Sequence, residues 1–320
     1  MASAQRRDML TFRLPIFLLL AVIAGGWSSS VSAYARKAHT DPVKWFRAAA
    51  ERGNVEAQYH LGTMYDTGRQ VSRNYEEAAK WYLRAAYQGH AVAQYNLGSL
   101  YLTGQGVSRN FAEAAKWFRS SAVHGYMPAK YNLALMYSRG QGISRDYAEA
   151  VKLYREAADY GIAAAQYNLA LMYEKGRGVS QSYADAMTWY KRAATQGHAA
   201  AKNNLGVIYE KAMGIPQNYT EAVRWYREAA LQGYPIAQSN LTRMYELGHG
   251  VPQDYVRAYA WLDIAASGGY KSAIIVREVL LKRMSQQQVA EGKVLARDLM
   301  IEIEAQKLTS STIRVVDDKQ

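Results

Sequence analysis

AVAQYNLGSLYLTGQGVSRNFAEAAKWFRSSAVHGY, residues 91–126, is a unit that recurs in register along most of the chain. A shift of 36 residues carries Tyr95 onto Tyr59 or Tyr131, and a further step reaches Tyr167; the slot continues with Asn203 and Ser239. Glycine is the strictest mark, at Gly53, Gly89, Gly125, Gly161, Gly197, Gly233 and Gly269. A fixed period of this length predicts a stacked repeat array, in which each unit hides its apolar face only against its neighbours. An array grows by adding units, so a length of 320 residues does not by itself imply two domains.

Each unit reads as two helices. At roughly 100° per residue, Ala93, Leu97, Leu100 and Tyr101 fall on one arc, an apolar stripe that must be buried. The Leu slot (Leu61, Leu97, Leu133, Leu169, Leu205, Leu241) and the Tyr slot (Tyr65, Tyr101, Tyr137, Tyr173, Tyr209, Tyr245) keep that stripe in six copies. Gly98 belongs to a slot that stays Gly or Ala until Thr242, which lets a neighbouring helix come close. A loop follows in which Gly68, Gly104, Gly140, Gly176 and Gly248 sit where a helix C-terminus takes a residue with positive φ. Ala212 breaks that slot, so the fifth loop is expected to be strained or differently shaped. Asn74, Asn110, Asp146, Ser182, Asn218 and Asp254 then stand as N-caps of the second helix. That helix carries small residues between aromatics, with Trp81, Trp117, Trp189, Trp225 and Trp261 read as its core knobs. The Gly-x-Gly pairs follow a helix rather than a strand, which makes them helix stops and not phosphate loops.

The order Ala-x-Tyr-Asn-Leu-Gly-x-x-Tyr, Gly-x-Gly-Val, Tyr-x-x-Ala-x-x-Trp-Tyr, Ala-Ala-x-x-Gly resembles the Sel1-like repeat, a relative of the tetratricopeptide repeat. The resemblance spans residues 41–282. It implies an all-α fold, a right-handed α-solenoid of stacked antiparallel helix pairs, used as a protein-interaction scaffold. The family also includes secreted bacterial members with cysteine cross-links, and members to whose names a penicillin-binding or β-lactamase activity is attached. This chain has no cysteine, and no residue pattern in it supports that activity.

Residues 1–33 read as a secretory signal, with Arg6, Arg7 and Arg13 ahead of an apolar core at 14–25 that is too short for a comfortable bilayer span. Val31-Ser32-Ala33 offers a cleavage point before Tyr34. The chain is therefore expected outside the cytoplasm, periplasmic or secreted, with an uncleaved membrane anchor as the alternative. Residues 41–54 form an amino-terminal cap, 55–270 six repeats, 271–306 a divergent terminal unit with a capping helix, and 307–320 a polar tail. In the capping helix Val289, Val294, Leu295, Leu299 and Ile303 are read as covering the last apolar face; a dimerisation helix is the alternative.

No chemistry stands out. The absence of cysteine removes disulfides, thiolate metal sites and cysteine nucleophiles. The six histidines do not cluster, and His90 and His198 share a slot that marks a helix start; neither a metal nor a cofactor is expected. No nucleophile elbow or Walker sequence occurs. What remains is a surface. The arc of the first helix opposite the core stripe is expected to line a concave wall, presenting Tyr95, Asn96, Tyr131, Asn132, Tyr167, Asn168 and Asn204 to a protein or peptide partner. The competing role for the same residues is bracing between adjacent repeats. The net charge of +12 leaves binding to anionic lipid or wall polymer as an alternative function, and a cell-wall or β-lactam-directed hydrolase as another. Export argues against nucleic acid, and a monomer is expected.

Overall fold

Each repeat is fixed at its corners by local hydrogen bonds. Asn74, Asn110 and Asp146 accept from two backbone N–H groups each at the start of a second helix, and Ser182, Asn218 and Asp254 from one. Gly68, Gly104, Gly140, Gly176 and Gly248 end the first helices in the left-handed region, at φ between 60° and 78°. The computed structural model describes residues 41–317, and among them are fifteen α-helices and no strand. The expected signal, residues 1–33, lies outside the described residues.

Helix α1 (Pro42–Glu51) is a second helix without a first. Six pairs follow: α2 (Val55–Thr67) with α3 (Tyr75–Tyr87), α4 (Ala91–Thr103) with α5 (Phe111–Val123), α6 (Met127–Arg139) with α7 (Tyr147–Asp159), α8 (Ala163–Lys175) with α9 (Tyr183–Thr195), α10 (Ala199–Glu210) with α11 (Tyr219–Leu231), and α12 (Pro235–Leu247) with α13 (Tyr255–Ser267). Each helix packs on the one before and the one after it, which is the connectivity of an all-α solenoid. Helices α14 (Lys271–Leu281) and α15 (Gln286–Asp317) close the chain. None of the described helices is long and apolar enough to cross a membrane.

The deepest aromatic is not the tryptophan. Tyr82, Phe118, Tyr154, Tyr190 and Tyr226, one residue further on, have at most 1% of their surface exposed, whereas Trp189 and Trp225 are only half-buried. Tyr82, Phe118 and Tyr226 each lie against the glycine of their own first helix. A Cβ added at Gly62 would stand 2.6 Å from the Tyr82 ring, and one at Gly206 would stand 2.6 Å from Tyr226. The small slot thus admits a ring from within the repeat.

The second glycine of each Gly-x-Gly has a separate cause. A Cβ at Gly106, Gly142, Gly178 or Gly250 would fall within 2.4 Å of the backbone where the preceding repeat's second helix begins, at Tyr75, Phe111, Tyr147 and Tyr219 respectively. In the first repeat the slot holds Gln70 at φ 65°, and there the preceding helix starts only at Pro42, three residues past the position equivalent to Tyr75. At Ala212 the expected strain is present: φ is 54°, and α10 is one residue shorter than the other first helices of the six repeats.

The carboxyl end differs from expectation. Helix α15 packs on α13 and touches α11, and it passes α14 by. Val289, Leu295, Leu299 and Ile303 face that contact together with Gly292 and Ala296, but Val294 is 52% exposed on the other side. The last apolar face is left open, so Ile274, Ile275, Val276 and Val279 of α14 are exposed. Ile275, Val276 and Val279 stand in the slots of Tyr95, Asn96 and Ser99, the face by which one first helix braces the next, and α15 does not pack along that face. The helix also continues to Asp317, past residue 306, because nothing after Gly292 interrupts it.

A candidate partner-binding face on the first helices

Tyr95, Tyr131 and Tyr167 lie in α4, α6 and α8, and Asn96, Asn132, Asn168 and Asn204 follow the same slot into α10; all seven are half-buried. They are also tied to one another. The Asn132 amide donates to the Tyr95 hydroxyl at 3.3 Å, and Asn168 donates to Tyr131 at 3.5 Å. Further along, Asn240 donates to Asn203 at 2.9 Å. Asn204 donates to the buried Tyr190 hydroxyl at 3.0 Å and also faces Tyr167, while Asn96 lies against Tyr82. The row is a brace from each repeat to the next, and one amide hydrogen of Asn132 and of Asn168 is committed to it.

A second row completes this face, from the slot in which His90 and His198 are expected only to mark a helix start. His90 stacks on Tyr59 with centroids 4.5 Å apart, Tyr126 meets Tyr95 edge-on at 5.1 Å, and His198 stacks on Tyr167 at 4.6 Å. His90 and His198 cap their helices as well, accepting at Nδ1 from the N–H groups of Ala93 and Ala201. The signal was available: His90, Tyr126, Ile162, His198, Tyr234 and Tyr270 share one slot, five residues before the Tyr95 slot, which places both near the start of the first helix. Burial raises the pKa of Tyr59, Tyr126, Tyr131 and Tyr167, so these hydroxyls stay protonated.

The buried tyrosines reach the same face through the small slot. Tyr82 donates to Asp66 at 3.0 Å, Tyr190 to Glu174 at 2.6 Å and Tyr226 to Glu210 at 2.6 Å. Burial is the main cause that pushes their hydroxyl pKa values far up, and the neighbouring carboxylate of each adds to it; Tyr154, which meets Ser138, is raised to about 12. Arg243 then bridges both oxygens of Glu210, and Arg283 pairs with Glu246 at 2.7 Å. The face is therefore mainly aromatic in the early repeats, with Asp66 and Glu174 on it, and gains arginine–glutamate pairs in the late ones. Among the described residues no three acidic or histidine side chains are placed to hold a metal.

The Sel1 repeat model matches residues 43–54, 55–90, 91–126, 128–161, 163–198, 199–234 and 235–270. This chain belongs to the Sel1 repeat family. A solved Sel1 repeat protein from Oxalobacter formigenes is 33% identical over 76% of this chain and 96% of that one, with a TM-score of 0.62. A protective antigen of uropathogenic Escherichia coli strains, described as displaying an SLR fold, is 28% identical over 82% of this chain and 72% of that one, with a TM-score of 0.48. An immunity protein from Pseudomonas aeruginosa is 21% identical over 67% and 81% of the two chains, with a TM-score of 0.42. A comparison with curated proteins found no match. Sel1 repeats are in general protein-interaction scaffolds, and the Oxalobacter protein supports the fold of this array.

In this Sel1 array the glycines do two jobs that the sequence reading had merged. Gly104 turns the chain out of α4, whereas Gly106 lets the loop of one repeat lie on the backbone of the repeat before it.

Proposed function

We propose that this chain is a non-enzymatic scaffold of the cell envelope, which holds a protein or peptide partner along its first-helix face. The observation that carries the proposal is the row of half-exposed rings on the first through fourth repeats, Tyr59, Tyr95, Tyr131 and Tyr167, backed by His90, Tyr126 and His198 with Ile162 beside the third. Rigid rings with polar edges give contact area at small entropic cost. Groups that acid–base chemistry would need are committed to structure: Tyr190 and Tyr226 donate to carboxylates, and His90 and His198 cap helices. The envelope location rests on the signal-like residues 1–33.

The test must leave the brace intact, which rules out replacing the asparagines. Ser99 and Leu135 are half-exposed on the same arc, and the sixth repeat places Arg243 in their slot, so an arginine there is compatible with the fold. The Ser99→Arg, Leu135→Arg double variant is expected to lose crosslinked partner from native envelopes, while Val123→Arg, at a position 80% exposed on a second helix, keeps it. Unchanged capture by a folded double variant would sink the assignment of this face.

A further inference from the structure

The loops that join the two helices of each repeat lie along one edge of the array, and in the first four repeats that edge is basic. Arg73, Arg109 and Arg145 share one loop slot, Arg139 and Lys175 the last position of a first helix, and Arg69 and Arg177 the position after the left-handed glycine. All seven are exposed, and none forms an ion pair among the described residues. The acids that start the second helices do not answer them: Glu76 and Glu77 pair with Lys80, Glu113 with Lys116 and Glu149 with Lys152, which leaves only Asp185. Asp66 and Glu174 accept from Tyr82 and Tyr190, and Asp146 caps α7. The loop itself does not require the charge. Gln181, Gln217 and Gln253 fill the Arg73 slot in the last three repeats and donate to carbonyls at the end of their first helices, at 2.8, 2.7 and 2.8 Å, as Arg73 does to Thr67 at 3.3 Å. A cation also favours a helix C-terminus, yet the sixth repeat closes its first helix with Leu247 and has no lysine or arginine in its loop. Rings hold the guanidinium groups in place: Arg73 lies 5.9 Å from the Tyr75 centroid, Arg109 5.6 Å from Phe111, and Arg145 and Arg177 5.6 Å from Tyr147.

We propose that the loop edge of the first four repeats binds an acidic polypeptide segment, whose carboxylates sit on the arginines of successive loops. Six of the seven cations are arginines, and the planar fork of a guanidinium takes a carboxylate through two parallel hydrogen bonds. Neighbouring loops stand about 10 Å apart, the distance between packed helices, and an extended chain covers that in about three residues. A segment of about ten residues with an acid at every third position therefore meets the four loops in turn. A solenoid edge turns a little with each repeat, so a flat bilayer meets only some of these loops at once, whereas a flexible chain follows them all. The apolar loop residues Val71, Val107, Ile143 and Val179 are half-buried and offer a bilayer no tip to insert. The edge also adjoins the first-helix face, because Arg139 and Lys175 follow Ser138 and Glu174, which meet Tyr154 and Tyr190 there. The choice of a polypeptide rests on reading that face as protein-binding; the charge of the edge does not.

The probe is a fluorescent oligoglutamate of about twelve residues, titrated with the purified full-length chain at about 0.1 M salt. The wild type is expected to bind it, and to bind more weakly as salt rises. The triple variant Arg73→Gln, Arg109→Gln, Arg145→Gln introduces the residue that the last three repeats already carry in that slot. It is expected to melt as the wild type does and to bind about tenfold more weakly, the loss of three exposed ion pairs. Arg139→Thr, Lys175→Thr, which copies Thr67 and Thr103, is a second variant and is expected to lose about fivefold. Lys80→Gln, Lys116→Gln, Lys152→Gln removes the same charge from the second helices, and is expected to bind within about twofold of the wild type, because charges more than about 10 Å away are screened at that salt. Equal weakening by the two triple variants, or none by either loop variant, overturns the proposal. Phosphatidylglycerol vesicles are the second probe: loop variants that release vesicles but keep oligoglutamate overturn it in favour of a membrane. These titrations do not involve Ser99 or Leu135, so their failure leaves capture at the first-helix face to its own test.

Discussion

Replacing Gly178 by alanine tests the claim that the second glycine of each loop is required by the neighbouring repeat and not by its own backbone. Gly178 has φ 71°, and a Cβ there would stand 2.2 Å from the Tyr147 carbonyl oxygen, 2.3 Å from its carbon and 2.7 Å from the Ala148 nitrogen. Those atoms begin α7 and cannot rotate away. Gly125 has φ 80° and no atom within 4 Å of its would-be Cβ. Both substitutions carry the left-handed cost of about 1–2 kcal/mol. Only Gly178→Ala adds a steric cost, about 1–3 kcal/mol for atoms forced into a packed site. The expected losses are therefore about 1–2 kcal/mol for Gly125→Ala and about 2–5 kcal/mol for Gly178→Ala. Urea unfolding followed by far-UV circular dichroism measures both. Because coupling between repeats is what is weakened, Gly178→Ala is also expected to broaden the transition or split it in two. If the two variants lie within about 0.5 kcal/mol of each other with equally sharp transitions, the packing argument is wrong.

Three further outcomes follow from the same structure. Ala212→Gly relieves a left-handed alanine and is expected to raise stability by about 0.5–1 kcal/mol, after the entropy a glycine adds to the unfolded chain; an unchanged urea midpoint would contradict this. Tyr190→Phe keeps the ring, as Phe118 does in the second repeat, but removes the donor to Glu174 and is expected to cost about 1–2 kcal/mol. Burial lowers the pKa of His60 and of His198, so the unfolded chain takes up protons first as pH falls below about 6.5, and stability is lost from there down through the folded pKa values. Asparagine fills the slot of His60 at Asn96 and the slot of His198 at Asn54, so the double variant His60→Asn, His198→Asn is expected to fold and to lose less stability between about pH 7.5 and pH 5.5; an equal loss in both chains would show that these histidines are not its cause.

The features that could be read from the sequence were those decided within a few residues. The caps at Asn110 and Asp146, the left-handed glycines and the strained Ala212 each answer a local demand of a helix end, and local demands leave local marks. What the sequence concealed was decided between units. Tyr82 and Gly62 are 20 residues apart, and only the folded pair shows that one is cut to fit the other. Gly178 looked like a second helix stop because its partner, Tyr147, belongs to another repeat. The path of α15 was hidden for a similar reason: Val294 and Ala296 are both plausible core residues, and only the fold shows Gly292 set against the Tyr259 ring, which puts Ala296 on the buried side.

The asparagine row shows why the site was harder still. Bracing and peptide binding ask for the same residue on the same arc, because both use a side chain that donates and accepts at once. The structure gives one amide hydrogen of Asn132 to Tyr95 and one of Asn168 to Tyr131. A carboxamide has a second hydrogen and an oxygen with two lone pairs, so the brace fixes the orientation of these groups without exhausting them. The consequence separates the two roles. Substituting Asn132→Ala loosens the joint between the second and third repeats and is expected to cost about 0.5–1.5 kcal/mol. Ser99→Arg leaves the joint untouched and obstructs only what lies on the face. A partner whose capture falls with Ser99→Arg, Leu135→Arg at unchanged melting temperature is held by the surface itself. One lost only in proportion to melting temperature across the asparagine variants is held by the shape of the array, and the aromatic rows would then be architecture alone.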